Sequence, residues 1–195
     1  MADTSNGKVK FGLSNVYIAK RTETGGKITY ETPVALPGAV SASIDSSSNQ
    51  NIFYADNIAY FTSNSKTSKT VELTVADIAN AIMKDYLGYV DNKAGGIVET
   101  NKPTNGAFAL LFQIETDAKA RKFCFFNCTA SESGEEYSTM EDKTDPVTSK
   151  LSVTCLGDAM SNGYVGFRNI SNPGDANYDT FFTSVTAPEE GTAGA

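Results

Sequence analysis

The stretch Thr70-Val71-Glu72-Leu73-Thr74-Val75 alternates polar and apolar side chains. Because successive side chains of a β-strand point to opposite faces, Val71, Leu73 and Val75 share one face of a strand. The stretch Lys150–Cys155 repeats the same alternation. Both stretches predict strands with one buried face, and the chain is therefore expected to be mainly β.

The beginning of the chain predicts a bent strand and a hairpin. Apolar residues from Val9 to Leu13 fall on one face and those from Val16 to Ile18 on the other, which indicates a bulge at Ser14–Asn15. The following turn, Thr24–Lys27, contains two glycines that can take the positive φ angles of a tight hairpin.

The middle of the chain predicts more strands. They are expected at Ala39–Ile44, Ile52–Tyr54, Ile58–Phe61, Phe108–Ile114 and Arg121–Thr129. The Ser/Asn-rich stretches at Ser46–Asn49 and Thr62–Ser65 are expected to be loops, and Asp117–Lys119 a turn. The last two strands are apolar on both faces, so they are predicted to form the centre of the core.

One segment has helical spacing. Asp77 is a suitable N-cap, Gly88 a suitable C-terminal stop, and between them apolar residues recur at Ile78, Ile82, Met83, Tyr86 and Leu87. These patterns together predict a two-sheet β-sandwich with one flanking α-helix. Residues 1–187 are expected to be a single domain with an N-terminal arm, and 188–195 a flexible C-terminal tail.

The charge balance argues against specific nucleic-acid binding. The 195 residues carry 16 basic and 23 acidic side chains, a net charge of -7. Since affinity for phosphate comes from Lys and Arg that release counterions, contact with DNA should be repulsive. The polar N-terminus does not resemble a secretory signal, and no stretch approaches the roughly 20 apolar residues of a membrane span, so we expect neither export nor membrane insertion.

The composition also argues against an enzyme. Histidine is absent, which removes the commonest general base and the Ser-His and Cys-His nucleophile pairs. Cys124 and Cys128 are about 13 Å apart along one strand, too far for a disulfide, and their spacing does not suit zinc. With Cys155 they are expected to be reduced core thiols. We therefore expect no catalytic residues, no cofactor, no metal and no small-molecule substrate.

The segment from Ser131 to Pro146 is strongly acidic. It contains Glu132, Glu135, Glu136, Glu141, Asp142 and Asp145. No regular calcium-loop spacing appears there, and a solvated loop is favoured over a catalytic or calcium-binding carboxylate cluster.

Several stretches resemble, in wording and order, the major tail proteins of siphophages, which are tail tube proteins. They are Gly7–Tyr17, Asn51–Asn57, Tyr86–Tyr89, Phe108–Cys128 and Leu151–Leu156. The resemblance covers most of the chain, from about Lys8 to Phe182.

The resemblance implies a structural subunit of a bacteriophage virion. Such a subunit forms hexameric rings, lends strands to an inner β-barrel and stacks through loops and arms into the tube through which DNA is ejected. Its partners would be copies of itself, the tape-measure protein and other tail proteins, and it would be in the host cytoplasm during assembly. An acidic lumen would let DNA pass without specific binding, because phosphate gains nothing from contact with it.

Two groups of residues are candidates for these roles. Lumen-facing carboxylates are expected at Asp45, Asp56 and Glu72, with ordinary solvent exposure on the outer face as the alternative. Ring contacts are expected from Ser46, Ser47, Ser48, Asn49, Asn64, Ser65 and Lys66, with plain surface loops as the alternative. Other readings of the whole chain are a non-viral β-sandwich binding module of carbohydrate or adhesin type, and a minor tail or tail-terminator protein.

Overall fold

The computed structural model describes residues 9–101, 106–116, 119–133, 137 and 147–190. The fold is mainly β, with one short helix. The strands are β1 (Lys10–Thr24), β2 (Lys27–Tyr30), β3 (Val34–Ala35), β4 (Ala39–Ala55), β5 (Ile58–Val75), β6 (Tyr89–Asp91), β7 (Ile97–Glu99), β8 (Phe108–Thr116), β9 (Arg121–Glu132), β10 (Ser149–Cys155), β11 (Asp158–Ala159), β12 (Val165–Gly166) and β13 (Arg168–Ser171), and the helix is α1 (Asn80–Tyr86). No helix in this part of the chain is long and apolar enough to cross a membrane.

Nine strands form one antiparallel sheet. The main order is β2-β1-β8-β9-β10-β5-β4, with β13 paired to β9 and β3 paired to β1. Two small sheets, β11-β12 and β6-β7, complete the described strands. The mainly β prediction with one flanking helix is confirmed, and the strands that were expected to divide between two sheets are joined by hydrogen bonds into one large sheet.

The large sheet curls back on itself through the segment that follows β3. Ala35 pairs with Tyr17 of β1, and the next amide, Leu36 N, donates to Val16 O at 2.8 Å. Gly38 O then accepts from Ala76 N at 2.7 Å, just beyond β5. Because this segment leads directly into β4, it connects β1 to the β4–β5 side of the sheet and encloses an interior.

The enclosed interior is the main core. Val71, Leu73 and Val75 of β5 are buried in it, as the alternation predicted. The ring of Phe112 stacks on Phe123 and Phe125, with ring centroids 5.5 and 5.6 Å apart. Side chains from β1, β8, β9, β10 and β5 meet here.

The predicted double burial of β8 and β9 is confirmed. On their outer face, Leu111, Cys124 and Phe126 form a second cluster with Phe181 from the C-terminal segment. Lys122 holds that segment in place, because its Nζ donates to Tyr178 O at 2.6 Å and lies 3.9 Å from the Tyr178 ring centroid. The C-terminal segment thus covers the outer face of β8 and β9, opposite the main core.

Helix α1 begins later than the sequence predicted. Its N-cap is Ala79, which provides no side-chain hydrogen bond, whereas Asp77 accepts from the amide of Ile78 at 2.8 Å before the helix starts. The apolar spacing is confirmed, since Ile82, Met83, Tyr86 and Leu87 pack against the main core. Gly88, with φ 87°, ends the helical segment as expected.

The prediction of loops at Ser46–Asn49 and Thr62–Ser65 is wrong. Both stretches are strand, because β4 and β5 pair continuously from Ala39↔Val75 to Ala55↔Ile58. Polar side chains at these positions indicate exposure on both faces rather than a break in pairing. The two strands form one long hairpin.

The turn and bulge predictions near the N-terminus are confirmed. The β1–β8 register shifts between Ser14 and Tyr17, and Asn15 has φ 52°. The pair Thr24↔Lys27 closes the first hairpin around two glycines with positive φ.

Some predictions lie outside the described residues. Of the acidic segment, Glu135, Glu136, Glu141, Asp142 and Asp145 fall there, while Glu132 lies in β9 and accepts a hydrogen bond from the Tyr89 hydroxyl at 3.0 Å. Residues 117–118 of the predicted turn and 191–195 of the predicted tail also fall there. Within the tail, Glu190 accepts from Asn162 Nδ2 at 2.6 Å.

A buried ionic network joins β11 to the first hairpin. Asp158 is 1% exposed, and its Oδ1 accepts from Arg21 Nε at 2.8 Å while its Oδ2 accepts from the Tyr30 hydroxyl. Burial and the hydrogen bond to Asp158 raise the pKa of Tyr30, so the phenol keeps the proton it donates. Arg21 also contacts Glu23, whose side chain is 52% exposed.

The two carboxylates that contact Arg21, those of Asp158 and Glu23, should differ sharply in their contribution to the free energy of unfolding. Asp158→Ala leaves Arg21 and Tyr30 without their buried acceptor and should lower the free energy of unfolding by about 3 kcal/mol. Glu23→Ala, the matched control, removes an exposed ion pair and should cost less than about 1 kcal/mol. Urea denaturation measures both, and equal losses would contradict the assignment of Asp158 as the anchor.

Candidate functional site

The outer face of β4, β5, β10 and β9 is covered with hydroxyl groups. Since Val71, Leu73 and Val75 point into the core, the residues between them point outward with their paired neighbours. We call this surface the hydroxyl face, and its members are Ser41, Ser43, Asp45, Thr70, Glu72, Thr74, Lys150, Ser152, Thr154, Thr129 and Ser131.

The rows of the hydroxyl face run straight across the strands. One row is Ser43–Glu72–Ser152–Ser131, and the next is Asp45–Thr70–Thr154–Thr129. Ser152 Oγ donates to Glu72 Oε1 at 2.5 Å, which fixes the carboxylate in the surface. Two carboxylates and one amine leave this face with a slight negative charge, which does not attract phosphate.

The outer half of the β4–β5 hairpin extends away from the sheet. We call residues 48–67 the arm. Every side chain in it except Ala55 is exposed, and its eight paired residues per strand span about 25 Å. It ends in a two-residue turn, where Asp56 and Asn57 have φ of 52° and 62°, as a type I′ turn requires.

The tip of the arm is apolar and aromatic. Phe53 pairs with Phe61 across the strands, and these side chains are 60% and 62% exposed. The other exposed apolar residues here are Ile52, Tyr54, Ile58 and Tyr60. An exposed apolar cluster of this kind is typical of an interaction surface.

The arm also has two open edges. Among the described residues, β4 pairs only with β5, and β5 is paired to β10 only from Lys69 to Val75. Both strands of the arm therefore present unsatisfied N–H and C=O groups, and an isolated two-stranded hairpin is only marginally stable in water. The arm needs further contacts to be stable as a structure.

A buried lysine marks the base of the arm. Lys69 is 8% exposed, and its Nζ donates to Ser46 Oγ at 2.6 Å across the hairpin. Burial, together with the nearby charges of Arg168 and Lys66, lowers the pKa of Lys69. This contact joins the two strands where they leave the body of the protein.

The predicted lumen carboxylates separate into two places. Asp45 and Glu72 lie on the hydroxyl face, in adjacent rows of adjacent strands. Asp56 lies in the turn at the tip of the arm, about 25 Å from the sheet.

The predicted ring-contact residues all lie on the long hairpin. Ser46 and Ser47 are at the base of the arm, and Ser48, Asn49, Asn64, Ser65 and Lys66 are within it. The sequence analysis missed the aromatic tip as a contact surface, although two short apolar stretches around Asp56-Asn57 are a hairpin signal.

A family comparison matches nearly the whole chain. The model of the family described as phage tail tube protein matches residues 12–186. The chain belongs to the phage tail tube protein family. The tail tube protein is thus a structural component of the virion tail and not an enzyme, and the resemblance seen in the sequence is confirmed.

Other comparisons add little to this result. The structure of Hcp1 from Flavobacterium johnsoniae is similar over 73% of this tail tube protein and 90% of that chain, with 8% identity and a TM-score of 0.33. No curated protein matches this chain.

The arm should be separable from the body of the tail tube protein. Replacing residues 48–67 with Asn-Gly joins Ser47 to Ser68 through a two-residue turn. Because nearly all the removed side chains are exposed, the free energy of unfolding should change by less than about 1 kcal/mol. Urea denaturation checks this, and a large loss would show that the arm contributes to the core.

Proposed function

We propose that this tail tube protein assembles into stacked hexameric rings whose bore is the conduit for DNA ejection. The observation that carries the proposal is the arm, a hairpin with two open edges and an aromatic tip. Tape-measure and other tail proteins are the further partners that the proposal implies.

A second copy of the chain is the simplest binding partner for the arm. Strand edges of the arm can add to the sheet of a neighbour, since β4 is itself an open edge over its whole length in the described residues. Repeating that contact around an axis closes a ring and pairs the open edges of the arm. The aromatic tip would then be buried against a neighbouring subunit in the same or the next ring.

The hydroxyl face is the proposed wall of the bore. It lies on four adjacent strands, among them the two that form the arm, so extending the sheet between subunits would make it continuous. Its surface is rich in neutral hydroxyls, and Asp45 and Glu72 outnumber Lys150. DNA would slide along such a wall, because no counterion release favours adhesion.

In this arrangement each subunit is one curled sheet with the C-terminal segment packed on it, and not a two-sheet sandwich. The hydroxyl face would point toward the bore. The segment with Phe181 packs on β1, β8 and the first part of β9, and would lie away from the bore. Asp56, at the tip of the arm, would then lie at a subunit contact.

Electron microscopy of the assembled protein tests the aromatic tip. Phe53→Ser with Phe61→Ser should leave the monomer folded and abolish rings and tubes, because the exposed apolar pair no longer drives association. The matched control exchanges the adjacent polar pair on the same face, Asn51→Ser with Ser63→Asn. Tubes should form from the control as from the parent chain.

Negative-stain images and sedimentation velocity at high concentration measure the outcome. Rings of six subunits that stack into hollow tubes support the proposal. Tubes formed equally well by the serine variant would exclude the tip as a contact. A parent chain that stays monomeric, also with tail partners present, would exclude self-assembly.

A charge reversal tests which surface lines the bore. Asp45→Lys replaces one negative charge with one positive charge per subunit on the hydroxyl face, so assembled tubes should retain short duplex DNA at about 50 mM salt and release it at about 200 mM. Glu99→Lys is the matched control, since Glu99 is exposed on β7, outside the large sheet. Fluorescence anisotropy of labelled DNA measures retention. Retention by the control alone would place the hydroxyl face outside the bore.

A further inference from the structure

Two buried cysteines face each other across adjacent strands. Cys128 of β9 and Cys155 of β10 are register partners, and their Sγ atoms are 2.8 Å apart. Leu156 N donates to Asn127 O at 3.1 Å, so the cysteines form a non-hydrogen-bonded pair. Such pairs have Cα atoms about 4.5 Å apart, within the range of about 4.4–6.8 Å that a disulfide requires.

A bulge in β9 brings Cys128 to this position. The β8–β9 register shifts between Phe108↔Cys128 and Leu110↔Phe125, and Asn127 has φ 50°. The extra residue changes the parity of the strand, so Cys128 joins Phe125 in the main core.

The third cysteine is excluded from the pair. Cys124 lies on the other face of β9, packed with Phe126 and Phe181 in the second cluster. The sequence prediction that Cys124 and Cys128 do not pair agrees with this placement. All three cysteines are free in the structure described here, and two of them are close enough for bonding.

We propose that Cys128 and Cys155 are a modification site, where a small-molecule disulfide of the glutathione type forms a cross-strand disulfide between β9 and β10. The thiolate of one cysteine attacks the small disulfide, giving a mixed disulfide and releasing one small thiol. The other cysteine attacks the sulfur of its partner in the mixed disulfide and releases the second small thiol. The two cysteines lose two electrons and two protons, and the oxidant is reduced to two thiols.

The site is closed to the oxidant in the folded protein. Both side chains are fully buried, and burial, with the hydrogen bond to Cys155, raises the pKa of Cys128, which keeps the thiol protonated. Bonding therefore occurs when the β9–β10 pairing opens or while the chain folds, and it is slow in the native state. Once formed, the bond closes a loop between residues 27 positions apart.

Refolding in a redox buffer tests the site. The tail tube protein is unfolded in urea and refolded with oxidised and reduced glutathione. Because all three cysteines are buried in the folded protein, free thiols are then alkylated in urea, and peptides are analysed by mass spectrometry without reduction. The expected product links the Cys128 and Cys155 peptides and carries the alkyl group on Cys124. Its melting temperature should exceed that of the reduced protein by about 5–10 °C.

Two variants make the result decisive. Cys124→Ala should form the same bond and show the same rise in melting temperature. Cys155→Val, which keeps the apolar volume, should remain fully alkylated at its two remaining cysteines and show no rise. A bond to Cys124, bonds only between chains, or complete alkylation of all three cysteines after refolding would each overturn the proposal. None of these outcomes depends on tube assembly.

Discussion

The register of β5 between β4 and β10 is the constraint on which the rest of the structure depends. With Val71, Leu73 and Val75 in the core, every intervening side chain is placed on the hydroxyl face together with its partners on both sides. A slip of one residue would exchange the two faces and bury Glu72. The packing energy of three apolar side chains therefore also sets the chemistry of the exposed surface.

Strand β5 runs through both the core and the arm, but its pairing and burial differ between the two. Inside the sheet, its alternate side chains are fully buried and the strand is paired on both sides. In the arm, which precedes Lys69 in the sequence, the strand pairs only with β4 and its side chains are exposed on both faces. The body is packed within one subunit, whereas the arm would gain its further contacts in the proposed assembly. This division suits a subunit that folds first and assembles afterwards.

Much of the fold was predictable because its signals are local. The alternation at Thr70–Val75 and Lys150–Cys155, the bulge at Ser14–Asn15 and the doubly apolar β8–β9 pair each follow from side-chain period alone. The two wrong loop predictions have a common cause. Ser46–Asn49 and Thr62–Ser65 were interpreted as loops because polar, unpatterned residues indicate loops when a sheet has a buried face, and the arm has none.

The sequence by itself determined the class of the protein: an acidic, mainly β chain without histidine, in which apolar side chains of period two define the core strands. Only the tertiary structure decided which polar residues share a surface, that the two apolar stretches beside Asp56 form one exposed tip, and that Cys128 faces Cys155. Period is a property of neighbouring residues along the chain. Pairing between strands and the parity change at a bulge depend on residues far apart in sequence, so they are fixed only when the sheet closes.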